Sequence, residues 1–247
     1  MTFEDARARL ARGAIALLPV GATEAHGPHL PLATDVVIAQ TAARRAAHVL
    51  ESDAVSALVL PPVAYAVTEF ASAFEGTLSL PPDTARALVR DIVLGAMRTG
   101  FRGVVICNAH LEPAHLASLR DAANEAQTRG AQVAFPDVTR KPHALRLGDE
   151  FRSGACHAGR YETSLVLAAD PFLVKAELAS ELPGNPSSLS VAIREGKSSF
   201  ADAGGPRAYF GAPAEATTSE GDALYDVLAD IFAAAARSLT KSDGATT

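Results

Sequence analysis

The chain has 247 residues and a formal net charge of −6, from 22 Lys plus Arg against 28 Asp plus Glu. This length suits one α/β domain with a sizeable core, and 48% hydrophobic against 20% charged residues is an ordinary globular balance. The acidic charge, with no basic cluster, argues against a nucleic-acid partner.

The apolar stretches and the cysteines indicate where in the cell the protein is located. No apolar stretch is long enough to predict a membrane span, and the first five residues are acidic where a signal peptide would be basic. Cys107 and Cys156 lie far apart without a C-x-x-C spacing, so we expect two reduced thiols. Together these features predict a cytoplasmic protein with no membrane partner.

Helix and strand signals alternate through the first part of the chain. The sequence predicts a helix capped by Thr2 that ends near Gly13, a strand over 14–20, a helix from Asp35 to about 50, and a strand over 57–63. A polar segment over 66–80 then separates this strand from the next helix. That segment is predicted to be functional.

The alternation continues up to about residue 135. Pro81-Pro82-Asp83 opens a helix that ends at Gly100, and the pattern then gives a strand over 101–107, a helix over 113–130 and a strand over 131–135. Such an order predicts an α/β fold: a single three-layer α/β/α domain with a mostly parallel central sheet.

The pattern is weaker in the last hundred residues. Helices are predicted only over 162–169 and 218–240. We therefore expect one domain over 1–240, followed by a disordered tail over 241–247.

Acidic and imidazole side chains follow two of the predicted strands. Glu24 and His26 come after the first strand, and His110 and Glu112 come after the third. A spacing of two residues places both side chains on one face of an extended backbone. Asp35 opens a helix, where its two oxygens are suited to bridge a pair of ions. Because ligands bind beyond the carboxyl ends of parallel strands, we expect these five side chains to meet there.

Charge favours two ions in this cluster rather than one. The carboxylates of Glu24, Asp35 and Glu112, together with a hydroxide, carry four negative charges, which two divalent ions neutralise. The mixture of imidazole and carboxylate suits Zn²⁺, Mn²⁺ or Fe²⁺. The predicted cofactors are therefore two divalent metal ions, Zn²⁺ or Mn²⁺, with Fe²⁺ as an alternative.

Several segments resemble the creatininase family. The segment over 21–35 is similar to the family signature, and Asn108-Ala109-His110-Leu111-Glu112 is similar to its Asn-Gly-His-x-Glu element. The segments over 74–80, 157–164 and 209–213 resemble, in order, its Phe-Pro-Gly-Thr, His-Ala-Gly-x-x-Glu-Thr-Ser and Gly-x-Pro elements. The likeness covers nearly the whole chain.

The resemblance implies a creatininase-like fold and assigns roles to single residues. Glu24, Asp35 and His110 would bind one metal ion, and His26, Asp35 and Glu112 the other. His157 and Glu112 are the candidate catalytic residues. A metal-bound water would be the nucleophile, and the family assembles as homo-oligomers, commonly hexamers.

The activity implied is that of a metal-dependent hydrolase acting on C–N bonds other than peptide bonds, as in creatinine amidohydrolases. The expected partner is a small-molecule amide substrate, cyclic or formylated. The chain contains no tryptophan, whereas creatininase proper encloses its ligand with tryptophans, so creatinine is not the first choice.

Three other functions stay open. The first is a family peptidase that matures a peptide-derived redox cofactor. The second is a phosphoesterase, although the motifs contain only Arg160 to bind phosphate. The third is a non-catalytic, metal-stabilised binding protein.

Secondary roles are expected for the remaining polar side chains near the motifs. Because Glu112 is present, Glu162 is expected to support the ligands rather than to be one. His29 lies an odd number of residues from Glu24 and His26, so it is expected to support the ligands or to pack within the loop. His115 is expected to be a surface residue. Cys107 is expected to point into the core.

Overall fold

A computed structural model describes residues 2–241 and shows a parallel sheet of four strands in the order β2-β1-β3-β4. The strands are β1 (Ile15–Val20), β2 (Ala57–Val59), β3 (Gly103–Asn108) and β4 (Val133–Ala134). Every residue of β1 and β3 is buried, as expected for central strands covered on both faces.

Helices cover both faces of this sheet, which confirms the predicted three-layer α/β/α fold. The helices α2, α6 and α9 pack together on one face, and α3 and α4 pack together on the other. Their bounds, in chain order, are α1 (Phe3–Leu10), α2 (Thr34–Ser52), α3 (Pro82–Arg98), α4 (Pro113–Thr128), α5 (Gly148–Ser153), α6 (Arg160–Ala169), α7 (Ala176–Glu181), α8 (Leu189–Arg194) and α9 (Thr218–Lys241).

The second predicted strand is shorter than expected. β2 ends at Val59, and the chain rejoins the sheet only through an isolated bridge between Val63 and Val20. Pro61 and Pro62 lie between them, and neither has the backbone N–H that a continuous ladder requires.

The chain beyond residue 136 contains more structure than the sequence predicted. The short helices α5, α7 and α8 were missed, because six residues are too few to show a helical period. Helix α9 includes Lys241, one residue beyond the predicted domain end, and residues 242–247 lie outside the described part of the chain. The division into a domain and a disordered tail stays a prediction.

The two central strands bring the motif loops together. β1 and β3 pair in register from Ile15 with Gly103 to Val20 with Asn108, so the loops that follow them leave the sheet side by side. Gly21 allows helix α2 to approach, because a Cβ there would lie 2.6 Å from the backbone carbonyl carbon of Asp35.

Of the described helices, none has both the length and the apolar character needed to cross a bilayer.

Candidate metal centre

Asp35 lies at the centre of a buried cluster of acids and imidazoles. It occupies the first turn of α2 and is only 1% exposed. Its Oδ2 lies 3.0 Å from His110 Nδ1, and its Oδ1 lies 3.3 Å from His26 Nε2. One carboxylate therefore faces two imidazoles, one with each oxygen, which is the geometry of a bridging ligand.

A second carboxylate accompanies each imidazole. Glu24 Oε1 lies 3.3 Å from His110 Nδ1, and Glu162 Oε2 lies 3.4 Å from His26 Nε2. Among the described residues, three groups have ligand atoms within 4.8 Å of one another: Glu24, Asp35 and His110; His26, Asp35 and Glu162; and Glu24, His26 and His157. Four of the five side chains predicted as metal ligands are thus brought together, and Glu162 and His157 join them.

Backbone carbonyls fix which nitrogen of each imidazole faces the cluster. His26 Nδ1 lies 3.1 Å from the carbonyl oxygen of Glu24, and His110 Nε2 lies 2.8 Å from that of Val67. A carbonyl only accepts, so these nitrogens carry the protons. In the neutral rings, His26 Nε2 and His110 Nδ1 then present lone pairs to the carboxylates, as in metal-binding histidines.

The residues present fit divalent metal ions. His26 Nε2 and Asp35 Oδ2 are both buried in the cluster and form no hydrogen bond with any described residue. Buried polar atoms without partners are rare in folded proteins, so a ligand is expected to satisfy them. The mixed nitrogen and oxygen set suits Zn²⁺, Mn²⁺ or Fe²⁺.

Glu112 is the predicted ligand that lies outside these three groups. Its two oxygens accept hydrogen bonds from the backbone N–H groups of Glu69 and Phe70, at 3.1 and 3.2 Å. Strand β3 already ends at Asn108, so the alternation that placed Glu112 beside His110 no longer applies. Glu112 still lines the cavity over the cluster, and burial raises the pKa of its carboxyl.

Glu162 has a more central position than the supporting role predicted for it. It lies in the first turn of α6, and its Oε2 accepts a hydrogen bond from the backbone N–H of Ala158 at 2.6 Å. The same oxygen faces His26. The sequence signal for this position was the His-Ala-Gly-x-x-Glu segment itself, which leaves the role of its glutamate open.

His157 borders the cluster and lines the cavity over it. Its Nε2 lies 3.0 Å from the carbonyl oxygen of Ala25, so that nitrogen carries the proton, and its Nδ1 lies 3.8 Å from Glu24 Oε1. Burial, together with the positive charge of His26, lowers the pKa of His157 to about 4. Its ring packs 4.2 Å from that of Phe200, a residue that no motif predicted.

The polar segment over 66–80, which the sequence predicted to be functional, contacts the cluster. The Thr68 hydroxyl donates a hydrogen bond to Glu24 Oε2, and the segment also supplies the carbonyl of Val67. Phe70 lines the cavity. The segment therefore orients one ligand from each strand-end loop.

The prediction that His115 lies on the surface is wrong. His115 is 1% exposed, and its Nε2 lies 3.0 Å from Asn108 Oδ1, while Asn108 Nδ2 donates to the carbonyl oxygen of His110. Helix α4 packs this face against the sheet, so His115 supports the backbone of His110.

Cys107 is fully buried in the core, as expected.

His29 has the supporting position predicted for it. Its Nε2 lies 2.9 Å from the hydroxyl of Thr163, beside Glu162 on α6. Burial lowers the pKa of His29 to about 4, so the ring is neutral near pH 7.

In the absence of cations, these charges make the stability of the protein depend on pH. Burial opposes a charge on His26, but Asp35 and Glu162 raise its pKa to about 10. A raised folded-state pKa contributes stability below the unfolded value of 6.5, and that stability is lost as pH rises through about 10. Burial also raises the pKa of Glu162 to about 8. This second raised pKa likewise makes the folded protein less stable as pH rises.

We therefore expect the chelator-treated protein to lose on the order of 1–3 kcal/mol of unfolding free energy between pH 7 and about 10. Urea denaturation at a series of pH values measures this. Protein reloaded with Mn²⁺ is the control. Metal binding displaces the protons from His26 and Glu162, so the unfolding free energy should no longer fall over this pH range. A metal-free protein that becomes more stable over the same range would contradict the assignment.

Comparison with known proteins agrees with this geometry. The profile of the creatininase family, described as creatinine amidohydrolase, matches residues 1–236. A buried cluster of acids and imidazoles at the strand ends of a parallel sheet defines a candidate centre for metal-dependent hydrolysis. The chain belongs to the creatininase family of hydrolases, which confirms the resemblance of its motifs.

Two curated relatives are named for different substrates. The mycofactocin precursor peptide peptidase of Mycolicibacterium smegmatis is 31% identical over 216 residues, which cover 85% of this chain and 78% of the relative. The creatinine amidohydrolase of Pseudomonas putida is 29% identical over 204 residues, or 74% of this chain and 75% of the relative.

Solved creatininases have the same fold. A creatininase variant complexed with creatine has a TM-score of 0.73 and 26% identity, and the match covers 96% of each chain. A structure described as creatininase with Mn has a TM-score of 0.69, again with 26% identity and 96% of each chain covered.

Proposed function

We propose that this chain is a metal-dependent hydrolase that cleaves an amide-type C–N bond of a small molecule at a site for two divalent ions. One observation carries the proposal: the two oxygens of Asp35 face His110 and His26 separately, each beside a further carboxylate. The proposed ligand sets are Glu24, Asp35 and His110 for one ion, and His26, Asp35 and Glu162 for the other.

The charge of the cluster supports two ions rather than one. Glu24, Asp35 and Glu162 are three buried carboxylates, and burying them without cations would be costly. Divalent ions bound there supply Lewis acidity and lower the pKa of water. The related structure described with Mn supports Mn²⁺, and the donor set also accepts Zn²⁺ or Fe²⁺.

We propose that His157 transfers the proton of the reaction. Its Nε2 is held by a carbonyl and its pKa of about 4 keeps the ring neutral near pH 7, so Nδ1 offers a lone pair toward Glu24. Nδ1 is therefore placed to accept a proton from the attacking water and to donate it to the leaving nitrogen. Water supplies the oxygen that replaces the nitrogen at the carbonyl carbon.

Glu112 is proposed as a second catalytic group rather than as a ligand. Its carboxylate lines the cavity, and its raised pKa brings it closer to the range in which an acid exchanges protons near neutrality. The backbone N–H groups of Glu69 and Phe70 orient it.

His157→Asn is expected to lower kcat by about a hundredfold to ten-thousandfold, because it removes a group that transfers protons. The metal content is expected to be unchanged, since His157 belongs to neither proposed ligand set. Elemental analysis and steady-state kinetics of the purified variant measure both. His48→Asn, at an exposed histidine, is the control and should keep both activity and metal. Loss of an ion in His157→Asn would instead make it a ligand.

A small amide is favoured as substrate because the cavity is confined. Phe70, Leu189 and Phe200 form part of its wall. The related structure with creatine also binds a small molecule. Creatinine itself is disfavoured, as the chain has no tryptophan.

A peptidase is the second candidate function. It is favoured by the relative from Mycolicibacterium smegmatis, which is 31% identical and is named a precursor peptide peptidase. The same ions and residues are suited to hydrolyse either kind of amide, because the chemistry at the carbonyl is the same.

Metal content combined with hydrolysis assays tests the proposal. The purified protein is analysed for Zn, Mn and Fe, and is assayed with creatinine, a hydantoin, a formamide and a short peptide before and after chelation. About two ions per chain and chelator-sensitive cleavage of a small amide are expected. Cleavage of the peptide alone would select the peptidase. No bound metal and no cleavage would favour a metal-independent binding protein.

The assembly and location of the protein are part of the same proposal. We infer a homo-oligomer, a hexamer by family resemblance, located in the cytoplasm. Light scattering on the purified chain tests the first point, and a single-chain mass would contradict it.

A further inference from the structure

A second cavity adjoins the one over the metal centre. The two cavities share four wall residues: Leu111, Cys156, Leu189 and Ile193. Leu189 and Ile193 lie one turn apart on the short helix α8, so this helix borders both spaces. The two cavities are therefore neighbours at α8.

The second cavity is lined largely by apolar residues. Beyond the shared residues, Ala144, Leu145 and Phe151 line it. Leu145 is 52% exposed, although it is a large hydrophobic residue beside a cavity. Covering it with the apolar part of a ligand would be favourable, because the buried area adds to the hydrophobic effect.

Among the residues that the structure describes, the charged side chains lining this cavity are two cations, Lys141 and Arg152. The described residues provide neither of them with a carboxylate partner. This local positive charge contrasts with the net charge of −6 of the whole chain. The cavity is therefore complementary to a negative charge.

We propose that the second cavity binds the distal part of the substrate, an apolar segment that ends in a carboxylate. This inference rests on the proposed function, since the scissile amide then lies over the metal centre. Leu111 and Ile193 contact the apolar segment, and Lys141 and Arg152 bind the carboxylate. The substrate class is thus an N-acyl or formamido carboxylic acid.

Two sources share this chemistry: a free amido acid and the carboxyl end of a peptide. They differ in what lies on the other side of the scissile bond. A free amido acid places only a small acyl group over the metal centre, whereas a peptide places a further chain there. The test therefore includes both.

Kinetics with a matched substrate series tests the proposal. The metal-loaded protein is assayed with ω-formamido carboxylic acids of increasing chain length and with the corresponding carboxamides. A short peptide with a free C-terminus and its amidated form make up the second arm. The acid is expected to be preferred over the amide by about tenfold in kcat/KM at the chain length that reaches the cations. The arm that shows the preference identifies the source.

The double variant Lys141→Ala/Arg152→Ala is expected to remove this preference and to leave the two substrate forms about equal. Arg129→Ala, at an exposed arginine beyond the C-terminal end of α4, is the matched control and should keep the preference. No preference in the wild type, or a preference that survives the double variant, would overturn the proposal.

A binding measurement separates this inference from the proposed function. Octanoate and octanol are titrated by calorimetry into the metal-loaded wild type and into the double variant. Octanoate is expected to bind the wild type about tenfold more tightly than the variant, whether or not any formamide is cleaved. Such binding without hydrolysis would contradict the proposed reaction but support the subsite, whereas equal affinities would overturn the subsite.

Discussion

Asp35→Asn is expected to lose both metal ions and to lower kcat/KM by about a thousandfold or more. The amide has no negative charge, and its nitrogen cannot bind a cation, so one of the two contacts that Asp35 makes toward His26 and His110 is lost. Because the same carboxylate belongs to both proposed ligand sets, neither ion keeps its full set. Elemental analysis and assays on the amide panel measure the effect.

Asp137→Asn is a matched control for the loss of a buried carboxylate. Asp137 is 8% exposed and accepts hydrogen bonds from Thr139 and Arg120, away from the metal cavity. This variant should keep its metal content, even if it is less stable. Circular dichroism confirms that both variants are folded. An Asp35→Asn protein that retains two ions per chain would contradict the bridging role.

Glu162→Gln and Glu112→Gln are expected to differ in metal content. Glu162→Gln should lose the ion held with His26, because the carboxylate facing that imidazole becomes neutral. Glu112→Gln should keep both ions but lose activity by about a hundredfold or more, because it removes a proposed proton-transfer group. The comparison decides between the geometry of the structure and the ligand set that the sequence favoured.

The two variants act as controls for each other, since each replaces a buried glutamate that accepts backbone hydrogen bonds. Titration of chelator-treated protein with Mn²⁺ measures how many ions each binds. One ion lost in Glu112→Gln and none in Glu162→Gln would reverse the assignment and restore Glu112 as the ligand.

The fold was predictable because local patterns agreed with the global arrangement. The runs that became β1 and β3 are continuously apolar, and the helices between them show clear start and end signals, such as Pro82 in the first turn of α3. The prediction was less accurate where these signals weaken. The short helix α8 was missed although it borders both cavities, because its position depends on packing rather than on periodicity.

The candidate site was predictable in part. Glu24, His26, Asp35 and His110 follow the ends of neighbouring strands, or begin the helix that packs on them, so topology alone brings them near one another. Glu162 belongs to a helix more than a hundred residues away from Glu24 along the chain, and no local rule relates the two positions.

The sequence by itself determined the family, the parallel α/β fold and the chemical character of the centre, because the alternation of helices and strands and the types of ligand are read along the chain. Only the tertiary structure decided which carboxylate faces His26. The backbone leaves the sheet after Asn108, which directs Glu112 to the backbone of Glu69 and Phe70, and the packing of α6 on α2 and α9 brings Glu162 to the imidazole instead.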